Sequence, residues 1–268
     1  MRPMFSEFSY GFCVTDELIH WRGTTLTAAP VFPSLFTEGQ TGGGWDVMLQ
    51  RPSVPLFLQF KLSHKMVRRS AMEIRSGHFK TTPFFRMHIW SRTKSRQQAL
   101  LMDLEDAGMD VYYVAPAFFS DVEFNNAFQT HTVNAKSIFV RPSVIGRLTD
   151  DEEHWVAFNK SLKPYVCSTP KPSEQKVDFA NVTRNIEKKL ERRSAILTSD
   201  RVGQLLSTLV SIVTKDDSVD GRVFGGIQST SEQLGQPRNE GIGAALQKVA
   251  YIARTFLSCE LLVASPRQ

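Results

Sequence analysis

The stretch that decides the fold begins at Gly43 and ends at Lys61. It reads Gly43-Gly44-Trp45-Asp46-Val47-Met48-Leu49, then a proline-bounded turn, then Leu56-Phe57-Leu58-Gln59-Phe60-Lys61. The two apolar runs predict strands at about 45–50 and 56–62, joined as a hairpin. Because side chains alternate between the faces of a strand, Gln59 and Lys61 are expected on one face while the apolar residues between them point into a core.

Three polar residues of this stretch suit metal-dependent phosphodiester chemistry. The Asp46 carboxylate and the Gln59 carbonyl are oxygen ligands of the kind that a hard cation prefers. Lys61 would orient or deprotonate an attacking water and offset the charge that develops on the phosphoryl oxygens. The simpler interpretation of the same residues is a surface ion pair between Asp46 and Lys61.

An aspartate followed on the next strand by Gln-x-Lys resembles the motif of the PD-(D/E)xK nuclease superfamily. Asp46, Gln59 and Lys61 take the three motif positions, Trp45 stands in place of the proline, and the glutamine removes one negative charge. The resemblance covers about residues 5–145 in element order. It implies an α/β fold of the restriction-endonuclease-like type, with a mixed sheet flanked by helices, and dependence on Mg²⁺ or Mn²⁺.

The resemblance also implies two further participants in the site. Relatives carry an acid on the helix before the first core strand, and Glu7 is the candidate in this chain. Glu7 follows Ser6, a favourable helix cap, so an ordinary first-turn glutamate is the alternative interpretation. The backbone carbonyl of Phe60 faces the site in relatives, which gives Asp46, Gln59 and Phe60 as metal ligands.

Composition indicates a folded protein of 268 residues, of which 41% are hydrophobic and 10% aromatic. The N-terminal residues lack the apolar core of a secretory signal, and no apolar run is long enough for a membrane span. Cys13, Cys167 and Cys259 lie far apart and match no zinc spacing. We therefore expect a cytoplasmic protein without membrane association.

The net charge of +5 is distributed unevenly along the chain. The segment from Lys61 to Arg96 contains ten Lys and Arg residues and one acid, Glu73, for a net charge of +9. The rest of the chain has 22 basic and 26 acidic residues, a net charge of −4. A basic segment beside a metal site predicts a surface that contacts phosphates of DNA, although charge alone does not separate DNA from RNA. The residues expected to bind nucleic acid are Lys65, Arg68, Arg69, Arg75 and Arg86.

Periodicity predicts the remaining elements of the first 165 residues. They are a helix at 5–20, an irregular helix at 64–76, a strand at 84–90, a helix at 94–107 ending at Gly108, a strand at 110–116, a helix at 120–129 and a strand at 136–141. A helix between the strands 84–90 and 110–115 predicts a crossover that pairs them in parallel. Gln97 and Gln98 at the start of that helix are expected to be surface residues, with contact to the site as the alternative.

A change in composition predicts a linker at 166–177 between two parts of the chain. Residues 1–165 would form the nuclease-like domain. Residues 178–268 would form a helical C-terminal region of three amphipathic helices, the last near 242–262. These helices could pack on the core, support a homo-oligomer or dock a partner protein.

The leading hypothesis is therefore a Mg²⁺-dependent endodeoxyribonuclease that hydrolyses phosphodiester bonds of DNA. Nucleases of this superfamily with an appended helical region are common in bacterial anti-phage and restriction systems, and the analogy of fold suggests such a role. The alternative is a catalytically inactive nucleic-acid-binding subunit or scaffold on the same fold, which the loss of the acid at Gln59 favours.

Overall fold

The computed structural model describes residues 1–20, 24–26, 53–166, 171–172, 178–191, 197–214 and 242–266. The helices in these ranges are α1 (Glu7–Ile19), α2 (Met72–Arg75), α3 (Gln97–Asp106), α4 (Asp121–Gln129), α5 (Pro142–Ile145), α6 (Phe179–Leu190), α7 (Ser199–Thr214) and α8 (Ile242–Leu257). The strands are β1 (Thr24–Leu26), β2 (Val54–Phe60), β3 (Ser63–Met66), β4 (Phe84–Ile89), β5 (Asp110–Pro116), β6 (Ser137–Val140), β7 (His154–Phe158), β8 (Pro164–Val166), β9 (Lys171–Pro172) and β10 (Glu260–Pro266).

The first sheet is mixed and has the strand order β1-β10-β2-β5-β6. Its parallel pair is β2 with β5, in a register that places Gln59 opposite Tyr113. The other pairs among its described strands are antiparallel. β10 comes from the far end of the chain and lies between β1 and β2, so the two predicted parts of the chain share one sheet.

The second sheet is antiparallel and has the order β3-β4-β7-β8-β9. Strand β4 alternates as the sequence predicts: Phe85, Met87 and Ile89 are buried, whereas Arg86 and His88 are only partly buried. The buried side of this strand belongs to the same hydrophobic core as one face of the first sheet.

Helices cover both faces of the first sheet. α3, α7 and α8 contribute to the core that the two sheets share. α1 and α6 contribute to a second core on the opposite face, where Tyr10 and Val14 pack with apolar residues of β2 and β5. The architecture is therefore α/β, with a mixed sheet flanked by helices, as the sequence predicts.

One predicted strand pairing is wrong, and a second finds no free edge of β2 over part of its length. β4 belongs to the second sheet and β5 to the first, so α3 is not a crossover between parallel partners. Strand β2 has β10 on one edge and β5 on the other over residues 56–58, which leaves no edge there for a hairpin partner. The strand predicted at 45–50 itself lies outside the described residues.

Three predicted elements also differ from the structure. Residues 63–66 form β3 rather than the start of an irregular helix, because they pair with β4. Residues 171–172 of the predicted linker form β9, which pairs with β8. The last helix ends at Leu257 rather than near residue 262, and the C-terminal region predicted as helical also contains the strand β10.

Ser258 shows why the last helix ends where it does. Its φ of 51° lies in the left-handed region, which an α-helix cannot continue through. The apolar residues that follow therefore enter the sheet as a strand. Within the described part of the chain, no helix combines the length and apolar character needed to cross a membrane.

Candidate active site

Lys61 lies directly after the carboxyl end of β2, at the same edge of the sheet as the end of β5. Its backbone N–H donates to the carbonyl of Val114 at 2.9 Å, which extends the parallel pairing one residue beyond the strand. This bond fixes the direction in which the Lys61 side chain leaves the sheet. The prediction that Gln59 and Lys61 share a face is confirmed, because both contact the same residue of α3.

That residue is Gln97, the first residue of α3. Lys61 Nζ donates to Gln97 Oε1 at 2.8 Å, and Gln97 Nε2 donates to Gln59 Oε1 at 2.8 Å. Gln59 Nε2 then donates to the backbone carbonyl of Phe60 at 2.9 Å. Because an ammonium group can only donate, Lys61 fixes the orientation of both amides in this series.

The C-terminal part of the chain also reaches this series. Gln97 Nε2 makes a second, longer bond to the carbonyl of Leu257 at 3.3 Å, at the end of α8. The buried thiol of Cys259 lies close enough that its charge, when ionised, would influence Lys61. Burial raises the pKa of Cys259, so this thiol is protonated at neutral pH. These contacts join α3, α8 and β2 around one lysine.

Glu7 approaches the site from α1. Ser6 caps this helix, since its hydroxyl accepts from the backbone N–H of Ser9 at 3.0 Å, as the sequence predicts. Gly11 allows the helix to lie directly on β2: a Cβ at this position would come within 2.8 Å of the Phe60 ring. The close contact between α1 and β2 places Glu7 within electrostatic range of Lys61.

The two charged groups influence each other and are both partly desolvated. Burial lowers the pKa of Lys61, and the nearby Glu7 opposes that change. Burial likewise raises the pKa of Glu7, and Lys61 opposes it. Glu7 is exposed to solvent, so its desolvation is only partial. A lysine whose pKa is lowered transfers a proton more readily near neutral pH.

Near Lys61, the described residues supply several oxygen atoms that could bind a metal ion. Among the predicted site residues within them, only Glu7 supplies a carboxylate. Asp46, the predicted first ligand, lies outside the described residues. Of the predicted ligands within them, Gln59 is 3% exposed and its carbonyl accepts from Gln97, and the Phe60 carbonyl accepts from Gln59. The described ranges contain no group of three or more His, Cys, Asp or Glu placed to hold a metal ion.

The predicted nucleic-acid-binding residues fall into two groups. Arg68, Arg69 and Arg75 are exposed in the segment after β3. Lys65 and Arg86 instead make contacts within the protein: Lys65 Nζ lies 4.2 Å from the centre of the Phe119 ring, and Arg86 pairs with the buried Glu73 at 3.4 Å. The first group is available to a ligand, and the second also supports the fold.

The expectation that Gln97 and Gln98 are surface residues is wrong. Gln97 is the centre of the series described above. Gln98 is 3% exposed, accepts from Tyr113 Oη at 2.8 Å and donates to the carbonyl of Gly146 at 2.8 Å. A pair of amides at the start of a helix after a basic segment was the available signal for Gln97, whereas nothing in the sequence indicates the contribution of α8.

Comparisons with models of protein families, with curated proteins and with solved structures found no match to this chain.

Proposed function

We propose that this protein is a metal-dependent nuclease that hydrolyses phosphodiester bonds of DNA. The observation that carries the proposal is the position of Lys61: it follows β2, is held by Gln97 together with Gln59, and lies within electrostatic range of Glu7. An isolated surface lysine would need none of these contacts. A positively charged donor beside an acid is the arrangement that phosphoryl transfer uses to orient a nucleophile and offset charge.

The oxygen atoms near Lys61 fit a hard cation such as Mg²⁺ or Mn²⁺. Glu7 offers a carboxylate, and the carbonyls of Gln59 and Phe60 each accept one hydrogen bond. A carbonyl oxygen has two lone pairs, so each retains one for an ion. Together with Asp46, these groups would hold the cation, which supplies positive charge that polarises a phosphoryl oxygen.

Lys61 is the residue to which we assign the transfer of charge and protons. Its bond to Gln97 holds Nζ in one direction, and two donor hydrogens remain for a substrate oxygen or a water. Its lowered pKa favours release of a proton near neutral pH. Gln97 acts as a positioning residue, since it contacts Lys61 and Gln59 rather than the reacting atoms.

Arg68, Arg69 and Arg75 would bind the DNA backbone. They are exposed, and they follow Lys61 in the chain by fewer than fifteen residues. Contacts of this kind are independent of base sequence and weaken as salt is raised. They would bring the phosphodiester to Lys61 without selecting a sequence.

The second candidate function is nucleic-acid binding without cleavage. It is favoured by the Gln59 amide, which is buried and makes hydrogen bonds within the protein at both ends. Such an amide has a structural role even if no ion is bound. By analogy of fold, either function would suit a component of a bacterial anti-phage system.

Cleavage of plasmid and single-stranded DNA in Mg²⁺, Mn²⁺ or EDTA tests the proposal. We expect cleavage by the wild-type protein with either metal, none in EDTA, and loss of cleavage in Asp46→Ala. Unchanged cleavage by a highly purified Asp46→Ala sample would refute the metal-ligand assignment. Salt-dependent DNA binding without cleavage in any condition would favour the second candidate.

A further inference from the structure

The outer face of the second sheet, opposite the shared core, differs between its two ends. At one end Phe79 stacks on Phe84 at 4.8 Å between ring centres, with Tyr165 beside them, so the sheet is covered. The other end carries His64, Arg86, His88, Trp90 and Trp155. We call these five residues the aromatic face.

Strand register brings the aromatic face together. His64 of β3 lies opposite Arg86 of β4, and His88 of β4 lies opposite Trp155 of β7. Residues directly opposite one another share a face of an antiparallel pair. Trp90 extends the row as the residue directly after β4.

The rings and the guanidinium of this face contact one another. Arg86 Cζ lies 4.3 Å from the centre of the Trp155 ring, and the His88 ring centre lies 4.6 Å from that of Trp155. The Trp90 and His88 ring centres are also 4.6 Å apart, at 73°. These contacts hold the rings in a fixed arrangement, which lowers the entropy lost when a planar ligand stacks on them.

The aromatic face is open to solvent and bordered by ion pairs. Trp90 is 45% exposed, which is unusual for the largest aromatic side chain. Lys94 Nζ lies 5.6 Å from the Trp90 ring, and Arg92 is exposed nearby in the chain. The acids close to the face pair with cations of the face and of its border: Glu73 with Arg86, Asp151 with Arg92 at 2.7 Å, and Glu153 with both His88 and Lys94.

We propose that the aromatic face binds single-stranded DNA, with unpaired bases stacked on Trp90 and Trp155 and with phosphates replacing Asp151 and Glu153 as the partners of Arg92 and Lys94. Every base has a π-face, so stacking needs no particular sequence. Bases inside a duplex are already stacked on their neighbours and do not offer that face. The inference rests on the proposed function for its ligand class and extends it by naming single strands.

The aromatic face lies close to the candidate active site along the chain. His64 follows Lys61 by three residues, which limits their separation to about 11 Å between Cα atoms. Ser63, between them, is tied to the end of β5 through a hydrogen bond from its hydroxyl to the carbonyl of Pro116. A strand bound on this face would therefore pass within a few nucleotides of Lys61.

Binding measured without cleavage tests this inference. Fluorescence anisotropy in EDTA would compare labelled oligo(dT) with a labelled blunt duplex for wild type, Trp90→Ala, Trp155→Ala and the control Tyr251→Ala. Tyr251 is 41% exposed on α8, so its loss matches Trp90→Ala in exposure. We expect about a tenfold or larger rise in Kd for oligo(dT) in the two tryptophan variants, and wild-type affinity in the control.

Three results would overturn the inference: oligo(dT) affinity unchanged in a folded Trp90→Ala, an equal loss for duplex, or stronger binding of duplex than of oligo(dT) by the wild type. Trp90→Phe retains a ring and should restore most of the affinity. Thermal unfolding identifies folded variants, and Trp90→Ala decides the test if Trp155→Ala does not fold. If the protein binds oligo(dT) through the tryptophans but cleaves no DNA, this inference stands and the proposed nuclease function is refuted. If the protein cleaves DNA and Trp90→Ala binds oligo(dT) as tightly as wild type, the nuclease function stands and this inference is refuted.

Discussion

Gln97 Nε2 donates to Gln59 Oε1 at 2.8 Å, while the other end of the Gln97 amide accepts from Lys61. The Gln97 side chain of α3 thus holds both Gln59 and Lys61 in place. Gln59 and Lys61 belong to the sequence motif, yet a helix almost forty residues later in the chain orients their side chains. The first prediction tests this relationship.

Gln97→Ala should lower both stability and cleavage. It leaves the buried Gln59 carbonyl without its donor and Lys61 without its acceptor, at an expected cost of about 1–3 kcal/mol in the free energy of unfolding. Urea denaturation measures the stability, and cleavage is compared under conditions where both proteins are folded. Gln129→Ala, an exposed residue at the end of α4, is the control and should change stability by less than about 0.5 kcal/mol. Equal effects of the two substitutions would contradict the role of Gln97.

Gly11→Ala should destabilise the protein by disturbing the contact between α1 and β2. The added Cβ would meet Cδ2 of Phe60 at 2.8 Å, and such overpacking costs about 1–3 kcal/mol, more than the gain in helix propensity. Gly203→Ala is the matched control, since no described atom outside its own helix lies within 4 Å of that Cβ and the helix α7 should gain up to about 1 kcal/mol. Opposite signs in thermal unfolding are the expected result, and a stabilised Gly11→Ala would refute the close contact.

Glu7→Gln should change the pH dependence of stability. Burial raises the pKa of Glu7, so the folded protein binds this proton more tightly than the unfolded chain. The resulting stabilisation is fully present below the unfolded pKa and is lost as the pH rises through the folded pKa. The variant lacks that loss, so its free energy of unfolding relative to wild type should increase between about pH 4 and pH 7. Urea denaturation at both values measures the difference, and a difference that falls or stays constant would contradict this environment for Glu7.

Removal of β10 should prevent cooperative folding. The strand pairs with β1 and β2, and Ser265 Oγ lies 2.6 Å from Ser53 Oγ in a buried hydrogen bond. A chain ending at Ser258 would leave an edge of β2 unpaired and expose the core on both faces. Circular dichroism and thermal unfolding would compare it with a chain ending at Pro266. A cooperative transition at the same temperature in both would refute the integration of the C-terminal strand.

Local features of the fold could be predicted from the sequence. The alternation of apolar and polar residues predicted strand β4, and a continuous apolar run predicted strand β5. Gly108, with a φ of 88°, follows α3 as its position predicts, because that backbone conformation favours glycine. The helix cap at Ser6 likewise depends on residues close in sequence.

Strand partners and the full site could not be predicted in the same way. The alternating pattern of β4 indicates which of its faces is buried, but not which strands it pairs with. The predicted parallel pairing of β4 with β5 was therefore wrong. β10 pairs with β2 across about two hundred residues, and its apolar residues continue the pattern of α8 without a visible break. The motif located Gln59 and Lys61, but the contact of Gln97 with both depends on the packing of α3, which no local pattern encodes.

The most direct test of the central claim is metal-dependent DNA cleavage by Lys61→Ala beside Lys160→Ala. Lys160 is an exposed lysine after β7 and serves as the charge-matched control. We predict that wild type and Lys160→Ala cleave plasmid DNA in Mg²⁺ or Mn²⁺ and not in EDTA, whereas Lys61→Ala is folded and loses cleavage by at least about a hundredfold. Cleavage by Lys61→Ala at the wild-type rate would contradict the assignment of the site.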